Sequence, residues 1–219
     1  MANVRRFLPG ERGQQILTRG MQIVLVGLLF IGLERGNPSL MVNCGVSLLV
    51  IQLPAVLERD FDLPMDPRLT LWLTAAAFFH AVGVVGIPGA GWSFYTEIWW
   101  WDHFTHSLSA SVVAAAGYST VRAVDLHSEE VYIPPQYTGI LILIFVLAFG
   151  VLWELLEFGI AVAGDTFGTA TILTQYGIED TLKDLTFNSM GGVIVALWGW
   201  IYLTDFSQAL SEKLETRLS

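Results

Sequence analysis

Two groups of ionisable side chains stand inside otherwise apolar stretches of this sequence, at spacings that place each group on one helical face. Asp102 and His106 are four residues apart, and His103 lies three residues before His106. Glu154 and Glu157 are three residues apart. Residues three or four apart are neighbours on an α-helix. Each group therefore predicts a patch of acid or imidazole on one side of a helix.

A third group repeats every four residues, with Asp180, Asp184 and Asn188 on one face of a predicted helix. Gly191 and Gly192 follow directly, and small residues allow a neighbouring helix to approach closely. Ionisable groups within apolar helices face a bundle interior or a water-filled cavity, and they mark functional sites by default. The three groups together predict one shared site built from three helices.

The residue types of these groups suit a divalent metal ion, because imidazole and carboxylate are ligands for zinc, manganese or iron rather than for a soft ion. Glu157 and Asp102 are the predicted catalytic groups, with Glu157 as the carboxylate that carries the proton. Asn188 and His80 are predicted to support the site. The predicted metal ligands are His103, His106, Glu154, Asp180 and Asp184.

The composition indicates that a lipid bilayer surrounds these groups. Of the 219 residues, 53% are hydrophobic and 14% are charged, whereas a soluble domain carries about 25% charge. An α-helix needs about 20 mostly apolar residues to cross the hydrocarbon core, and its backbone groups are then paired internally, as lipid requires. We therefore predict an all-α fold, a polytopic transmembrane helical bundle of about six spans.

The predicted organisation has three parts. A cytoplasmic segment (1–14) precedes a six-helix transmembrane domain (15–204), and a cytoplasmic amphipathic tail (205–219) follows it. The tail places Leu210, Leu214 and Leu218 on one helical face, which is typical of a helix that lies along a membrane surface. The predicted spans are the charge-poor stretches 15–33, 40–57, 69–87, 101–121, 138–163 and 180–204.

Basic residues predict the orientation, because lysine and arginine are enriched in cytoplasmic loops. With the N-terminus inside, nine of the eleven basic residues are cytoplasmic and only Arg35 and Lys183 are outside. We therefore predict a multi-pass protein of the cell membrane with both termini in the cytoplasm. In this orientation the three ionisable groups all lie in the outer half of the bundle.

Net charge and cysteine content exclude several classes of function. The formal charge of −9 disfavours nucleic acid, which requires a basic face. The single cysteine, Cys44, excludes an intrachain disulfide. The predicted partners are the lipid bilayer and a small-molecule or lipid ligand, with no nucleic acid, and the oligomeric state stays open. A carboxylate at the bilayer centre costs roughly 2.5–3.5 kcal/mol, so the acids must be paired, hydrated or bound to a cation.

The order of these motifs resembles the YjdF-like family of small inner-membrane proteins. The likeness is carried by the runs WDHFTH (101–106), WELLE (153–157) and DTLKD (180–184), with Asn188 and Gly191 after the last run. A more distant similarity, in the order acid–histidine, glutamate, aspartate, asparagine–glycine, connects the chain to VanZ-like membrane proteins. The resemblance covers about half of the chain. It implies a multi-pass fold with a shared polar site, and it implies no particular reaction.

Three functions are compatible with the sequence. The first is metal-dependent chemistry on a lipid or lipid-linked substrate that enters from the outer leaflet, although no HExxH, GxSxG or P-loop signature is present. The second is non-catalytic binding of an amphiphile at the outer leaflet, as in a resistance protein. The third is proton- or cation-coupled transport, which the one-sided charge and the lack of an inverted repeat disfavour.

Overall fold

The computed structural model describes residues 10–87, 91–128, 130–167 and 177–218. The parts of the predicted N-terminal segment and tail at residues 1–9 and 219 lie outside these ranges. Within them the chain is helical apart from turns, short connections and a two-stranded antiparallel ladder of β1 (Gly86–Ile87) and β2 (Trp92–Ser93). The all-α prediction is confirmed. The helices are α1 (Glu11–Arg35), α2 (Pro38–Val50), α3 (Leu53–Phe61), α4 (Pro67–Gly83), α5 (Phe94–Glu97), α6 (Trp101–His127), α7 (Pro135–Phe167), α8 (Ile178–Tyr202) and α9 (Thr204–Leu218).

Three stretches of the described chain are long and apolar enough to cross a membrane: α1, α2 with α3 taken together, and α7. Helices α8 and α9 are long and apolar enough only when taken together, and they are bent by 86° relative to each other. Counted as one span, they would raise the number of candidate spans among the described residues to four. Helix α4 has only 17 residues, and about 20 are needed for a full crossing. A helical membrane bundle is therefore observed, and the count of six spans stays a prediction.

The second predicted span, 40–57, is divided into α2 and α3. Helix α2 ends at Val50 and α3 begins at Leu53, with Pro54 in the first turn of α3. A proline has no backbone N–H, and its ring clashes with the carbonyl group four residues earlier, which here belongs to Val50. The proline therefore accounts for the break that the hydropathy pattern alone did not predict.

Local sequence signals define other helix boundaries. The Asn37 side chain accepts a hydrogen bond from the N–H of Leu40 over 3.1 Å at the start of α2. Asp66 caps α4 in the same way, accepting from the N–H of Arg68 over 2.7 Å. At the end of α1, Gly36 adopts φ 57°, a left-handed conformation that glycine reaches without steric cost. Such caps satisfy backbone groups that a helix end leaves unpaired.

The helices form two packing units with separate hydrophobic cores. The N-terminal half consists of α1 to α4, and its core includes Leu25, Leu40 and Cys44. The C-terminal half consists of α6 to α9, and its core includes Ile142 and Val195. The two halves are joined chiefly where α4 packs on α6. The candidate site lies at this junction.

Helix α6 is the central element of the C-terminal half and packs against α7, α8 and α9 as well as α4. Its approach to α8 is especially close at Gly191, where an added Cβ atom would overlap the backbone oxygen of Ser107. The Ser107 hydroxyl donates to the carbonyl oxygen of Phe187 over 3.0 Å. The glycines predicted to follow the acidic stripe of α8 thus permit backbone contact with α6.

The residues of the predicted tail are helical as α9, which packs against α6. Ser207 and Ser211 are its buried residues among the described side chains, and Leu210 and Leu214 are half-buried. The Lys213 ammonium lies 2.9 Å from a carboxylate oxygen of Asp62, just after α3. Helix α9 therefore touches both halves. Its position at the inner membrane surface stays a prediction, and the Leu218 side chain lies outside the described side chains.

Candidate functional site

His106 lies where the predicted polar faces of α6 and α8 meet. Its Nε2 atom is 3.5 Å from Oδ1 of Asp102, one turn earlier on α6, and 3.8 Å from Oδ1 of Asp184 on α8. The His106 and Asp184 side chains are 9% and 2% exposed, respectively. Asn188, one turn further along α8, is buried and within hydrogen-bonding reach of His106. The two stripes inferred from helical spacing therefore face each other.

Helix α7 contributes Glu154 and Glu157, both buried. The Thr181 hydroxyl donates to Oε2 of Glu154 over 2.9 Å, which links α7 to the first turns of α8. The indole N–H of Trp153 donates to Oε1 of Glu157 over 3.0 Å. Each carboxylate thus has one oxygen fixed by a hydrogen bond.

Two sets of three side chains bring one ligand-type atom each to within 4.8 Å of one another. The first set, His106, Glu154 and Asp184, is buried throughout. The second set consists of Asp102, His103 and Asp184, and its first two members are half-buried. Asp184 belongs to both sets. Five of the predicted site residues are therefore brought together by three helices.

The predicted site residues Asp180 and Glu157 belong to neither set. Asp180 lies half-buried in the first turn of α8, one turn before Asp184. It interacts electrostatically with Asp102, Glu154 and Asp184. In the described structure Asp180 is thus at the edge of the cluster rather than among the closely spaced atoms of the two sets.

Three enclosed atoms of these sets have no hydrogen-bond partner: Nδ1 of His103, Oε1 of Glu154 and Oδ1 of Asp184. The His103 ring stacks on Phe187, with a centroid distance of 4.3 Å and an interplanar angle of 5°. Buried polar atoms are normally hydrogen-bonded. A nitrogen and two carboxylate oxygens left unpaired in this way fit the donor preferences of zinc, manganese or iron.

The negative charge of the cluster is also compatible with a bound cation. Lys183 precedes Asp184 on α8, and its side chain is half-exposed. Its ammonium forms an ion pair of 2.8 Å with the carboxylate of Glu179, which is 83% exposed. Lys183 thus has an acidic partner outside the two sets. Closely spaced carboxylates cannot all remain charged without compensation, so bound protons or a metal ion must supply positive charge.

His80, predicted as a supporting residue, lies beside the cluster in a network that sequence reasoning did not identify. The Tyr95 hydroxyl is 3.0 Å from Nδ1 of His80 and 3.5 Å from the Thr105 hydroxyl. Burial raises the pKa of the Tyr95 phenol, which keeps the hydroxyl proton in place. The Tyr95 ring fills the space beside Gly83, where an added Cβ would overlap it. Gly83 is the sequence signal for this close contact.

A cavity of about 340 Å³ adjoins the cluster between α2, α4, α6 and α7. His80, His106 and Asn188 contribute to its wall, and other parts of the wall are aliphatic, including Leu73 and Val113. The volume is within the range of pockets that bind small molecules. The site therefore combines a buried set of ligand atoms with an apolar space next to it.

Comparison with known proteins identified one related chain of the bacterium Thermotoga maritima, described as "Uncharacterized protein". The two are 29% identical over 144 residues, which is 63% of this chain and 65% of the relative. The chain therefore matches slightly less than two thirds of the relative's length. No solved structure matches the chain.

The match to a protein-family model is more extensive. The model covers residues 16–205 and thus includes α2 to α8 completely, together with most of α1. All the residues of the candidate site are within this range. The chain belongs to the family described as "Predicted membrane protein (DUF2238)".

Proposed function

We propose that this protein is a metal-dependent integral-membrane enzyme that acts on a lipid or lipid-linked substrate. His106, Glu154 and Asp184 would hold a divalent zinc, manganese or iron ion. Asp102 and His103 would complete the site beside the shared carboxylate of Asp184. The predicted ligand Asp180 would then act at the edge of the site, through its charge.

The observation that carries this proposal is the pair of unpartnered carboxylate oxygens on Glu154 and Asp184, whose residues are only 5% and 2% exposed. An unpaired buried charge is strongly unfavourable, and removing one partner from a buried ion pair costs about 3–5 kcal/mol. Folded proteins retain such groups where a function needs them. A dication bound by His106 and these two oxygens would compensate the negative charge of both carboxylates.

The side chains around the ligand set have distinct proposed roles. A bound dication polarises an ester or phosphate oxygen and lowers the pKa of a water molecule. Asp102, whose Oδ1 atom lies 3.5 Å from Nε2 of His106, would add negative charge beside the ion. Glu157, fixed by the Trp153 indole, would accept and return a proton during the reaction. Asn188 would hold His106 through a hydrogen bond.

The proposed setting is the outer leaflet of the cell membrane, with both termini in the cytoplasm. The excess of basic residues in the predicted inner loops supports this orientation. The contact between Lys213 and Asp62 supports the predicted arrangement of the spans, because it joins two segments that this arrangement places on the same side of the membrane. The likeness to YjdF-like proteins supports a shared polar site in a multi-pass fold.

Non-catalytic binding of an amphiphile is the second candidate, and the apolar cavity of about 340 Å³ beside His106 favours it. The aliphatic walls at Leu73 and Val113 disfavour the transport alternative, since proton or ion transfer uses polar groups along the route. Binding and turnover share the same site and differ in whether a product is released.

Metal analysis of the purified protein tests the proposal. After incubation with zinc, manganese or iron and removal of free ions, we expect a stoichiometric amount of one metal in the wild type and its loss in H106A and E154Q. The matched control is E179Q, which neutralises an exposed carboxylate on the same end of α8 and should retain the metal. A wild type without metal, or equal metal in all variants, would exclude the metal-dependent enzyme.

Turnover is tested separately by mass spectrometry of lipids extracted from proteoliposomes of stated bacterial phospholipids. We expect a new lipid product with the metal-loaded wild type and its absence with E157Q. Metal binding without any product would favour the binding protein over the enzyme.

A further inference from the structure

The cavity beside the cluster has a polar end and an apolar end along the helix axes. On α4 the lining residues run from Leu73 to His80, and on α6 they run from Val113 to His106. Seven residues of helix rise about 10 Å, so the space extends about 10 Å from the histidines into the bundle. Because the two helices have opposite chain directions in the predicted topology, His80 near the end of α4 and His106 near the start of α6 lie at the same end of the cavity.

The walls bounding this space close on three sides. Helix α2 packs against α4, α4 against α6, and α6 against α7. Within the described residues, no comparable packing joins α2 to α7. The fourth side of the cavity is therefore an opening between the two halves.

The rim of this opening is apolar and exposed. Val46 on α2 and Leu53 at the start of α3 are 50% and 46% exposed, and Phe149 on α7 is 47% exposed, while all three line the cavity. Both flanking stretches, α2–α3 and α7, are long and apolar enough to cross a membrane. In a membrane that both stretches cross, the opening faces the hydrocarbon region, where acyl chains rather than water are the surrounding molecules.

We propose that this cavity is a lateral slot for one hydrocarbon chain of the substrate lipid, which enters between α2 and α7 with its polar end at His106. This inference rests on the proposed function for the identity of the polar end and adds the route, the orientation and the chain. Aliphatic walls favour a hydrocarbon chain through burial of apolar surface and dispersion contacts. A cavity of about 340 Å³ is near the lower limit for ligand pockets, so the rest of the lipid would remain in the bilayer.

Photolabelling in proteoliposomes tests the slot. The probe is a trace of phosphatidylglycerol that carries a diazirine within one acyl chain, in vesicles of phosphatidylethanolamine and phosphatidylglycerol. Peptide mass spectrometry then compares two positions: Ala76, which lines the cavity and is 5% exposed, and Leu152, on the open face of α7 at 64% exposed. A chain in the slot labels both, whereas a chain confined to bulk lipid labels Leu152 alone, which would overturn the inference.

Two substitutions that fill the slot sharpen the result. V113W and S109L each place a larger side chain of α6 in the slot. If one variant does not fold, the other still provides the measurement. Each should lower labelling at Ala76 about ten-fold, which corresponds to about 1.4 kcal/mol, with labelling at Leu152 unchanged. The matched control is V193W, which enlarges a 41% exposed residue of α8 that does not line the cavity. Equal labelling at Ala76 in all these variants would contradict the proposal.

The E154Q variant separates this inference from the proposed function. Because Glu154 does not line the cavity, its neutral form should lose metal and keep the label at Ala76. Label at Ala76 in a wild type that binds no metal would support the slot and exclude the metal-dependent enzyme. Metal in the wild type with no label at Ala76 would support the metal-dependent enzyme and exclude the slot.

Discussion

The two halves of the molecule bury polar groups of different kinds. In α1 to α4 the buried polar side chains are neutral, for example Thr18 and Ser47, whereas α6 to α8 bury His106, Glu154 and Asp184. The Ser47 hydroxyl donates to the carbonyl of Ala77 over 2.9 Å, a contact that joins α2 to α4. The Ser47 contact thus holds two helices of the N-terminal half together.

In the C-terminal half the buried polar groups are costly to the apoprotein. Ionised groups lose far more hydration energy than hydroxyl groups when they leave water, and no hydrogen bond compensates Oε1 of Glu154 or Oδ1 of Asp184. Stability and function often conflict at such places. The comparison contrasts a scaffold in one half with a cluster in the other half that, under the proposed function, a bound ion would stabilise.

The largest expected effect comes from removing the shared charge in the C-terminal half. D184N should weaken metal binding by about 100-fold or more, because changes even to groups that only support a ligand cost 10–100-fold. The same variant should make the metal-free protein more stable by about 1–3 kcal/mol, since it removes a buried carboxylate whose Oδ1 atom has no hydrogen-bond partner. Metal titration and unfolding in detergent, with and without chelator, measure both effects.

The N-terminal half provides the control for this substitution. T18V removes a buried hydroxyl that bonds the carbonyl of Gln14 in its own helix, and it should leave metal affinity unchanged. If D184N destabilises the metal-free protein as well, the contrast between scaffold and site is wrong.

Glycine substitutions give the next largest effect and again differ between the halves. G191A places a methyl group against the Ser107 backbone, and overpacking of this kind costs about 1–3 kcal/mol. G45A on α2 meets no atom within 4 Å, and it should stabilise by roughly 0.5–1 kcal/mol because alanine loses less entropy in a helix. Tryptophan fluorescence during unfolding in detergent measures the change in the free energy of unfolding for both variants. Equal effects would show that α6 and α8 are not in close contact.

The smallest expected effect is at the contact between α9 and the N-terminal half. K213A removes an ion pair whose Lys213 and Asp62 side chains are 38% and 79% exposed. Exposed pairs contribute about 0.2–1 kcal/mol and are screened by salt. A double-mutant cycle with D62N at low and high salt measures the coupling energy. A coupling well above this range would mean that α9 fixes the relative position of the halves.

Helical spacing allowed much of the cluster to be predicted from sequence. The four-residue intervals from Asp102 to His106 and from Asp184 to Asn188 correctly indicated which side chains share a face. Gly191 indicated a close helix contact, and the structure shows that α6 is the neighbour. Such features are predictable because they depend on the period of the helix and on residue size.

The cavity and the Tyr95 network could not be predicted in the same way. Ala76 and Val113 line an open space, yet the same residue types elsewhere fill a core. Residue type does not show whether a neighbouring helix packs against a side chain or leaves a cavity beside it. Tyr95 belongs to a four-residue helix between two strands and a long helix, where no periodic pattern can form. The break after Val50 did have a signal in Pro54, which the overall hydropathy of the stretch concealed.

The proposed slot between α2 and α7 has a consequence for any compound that enters the site by the same route. Such a compound would have to dissolve in the membrane before it binds, so its mole fraction in the bilayer, rather than its concentration in water, would set occupancy. Adding protein-free vesicles to an inhibition assay would then dilute the compound and reduce its apparent potency.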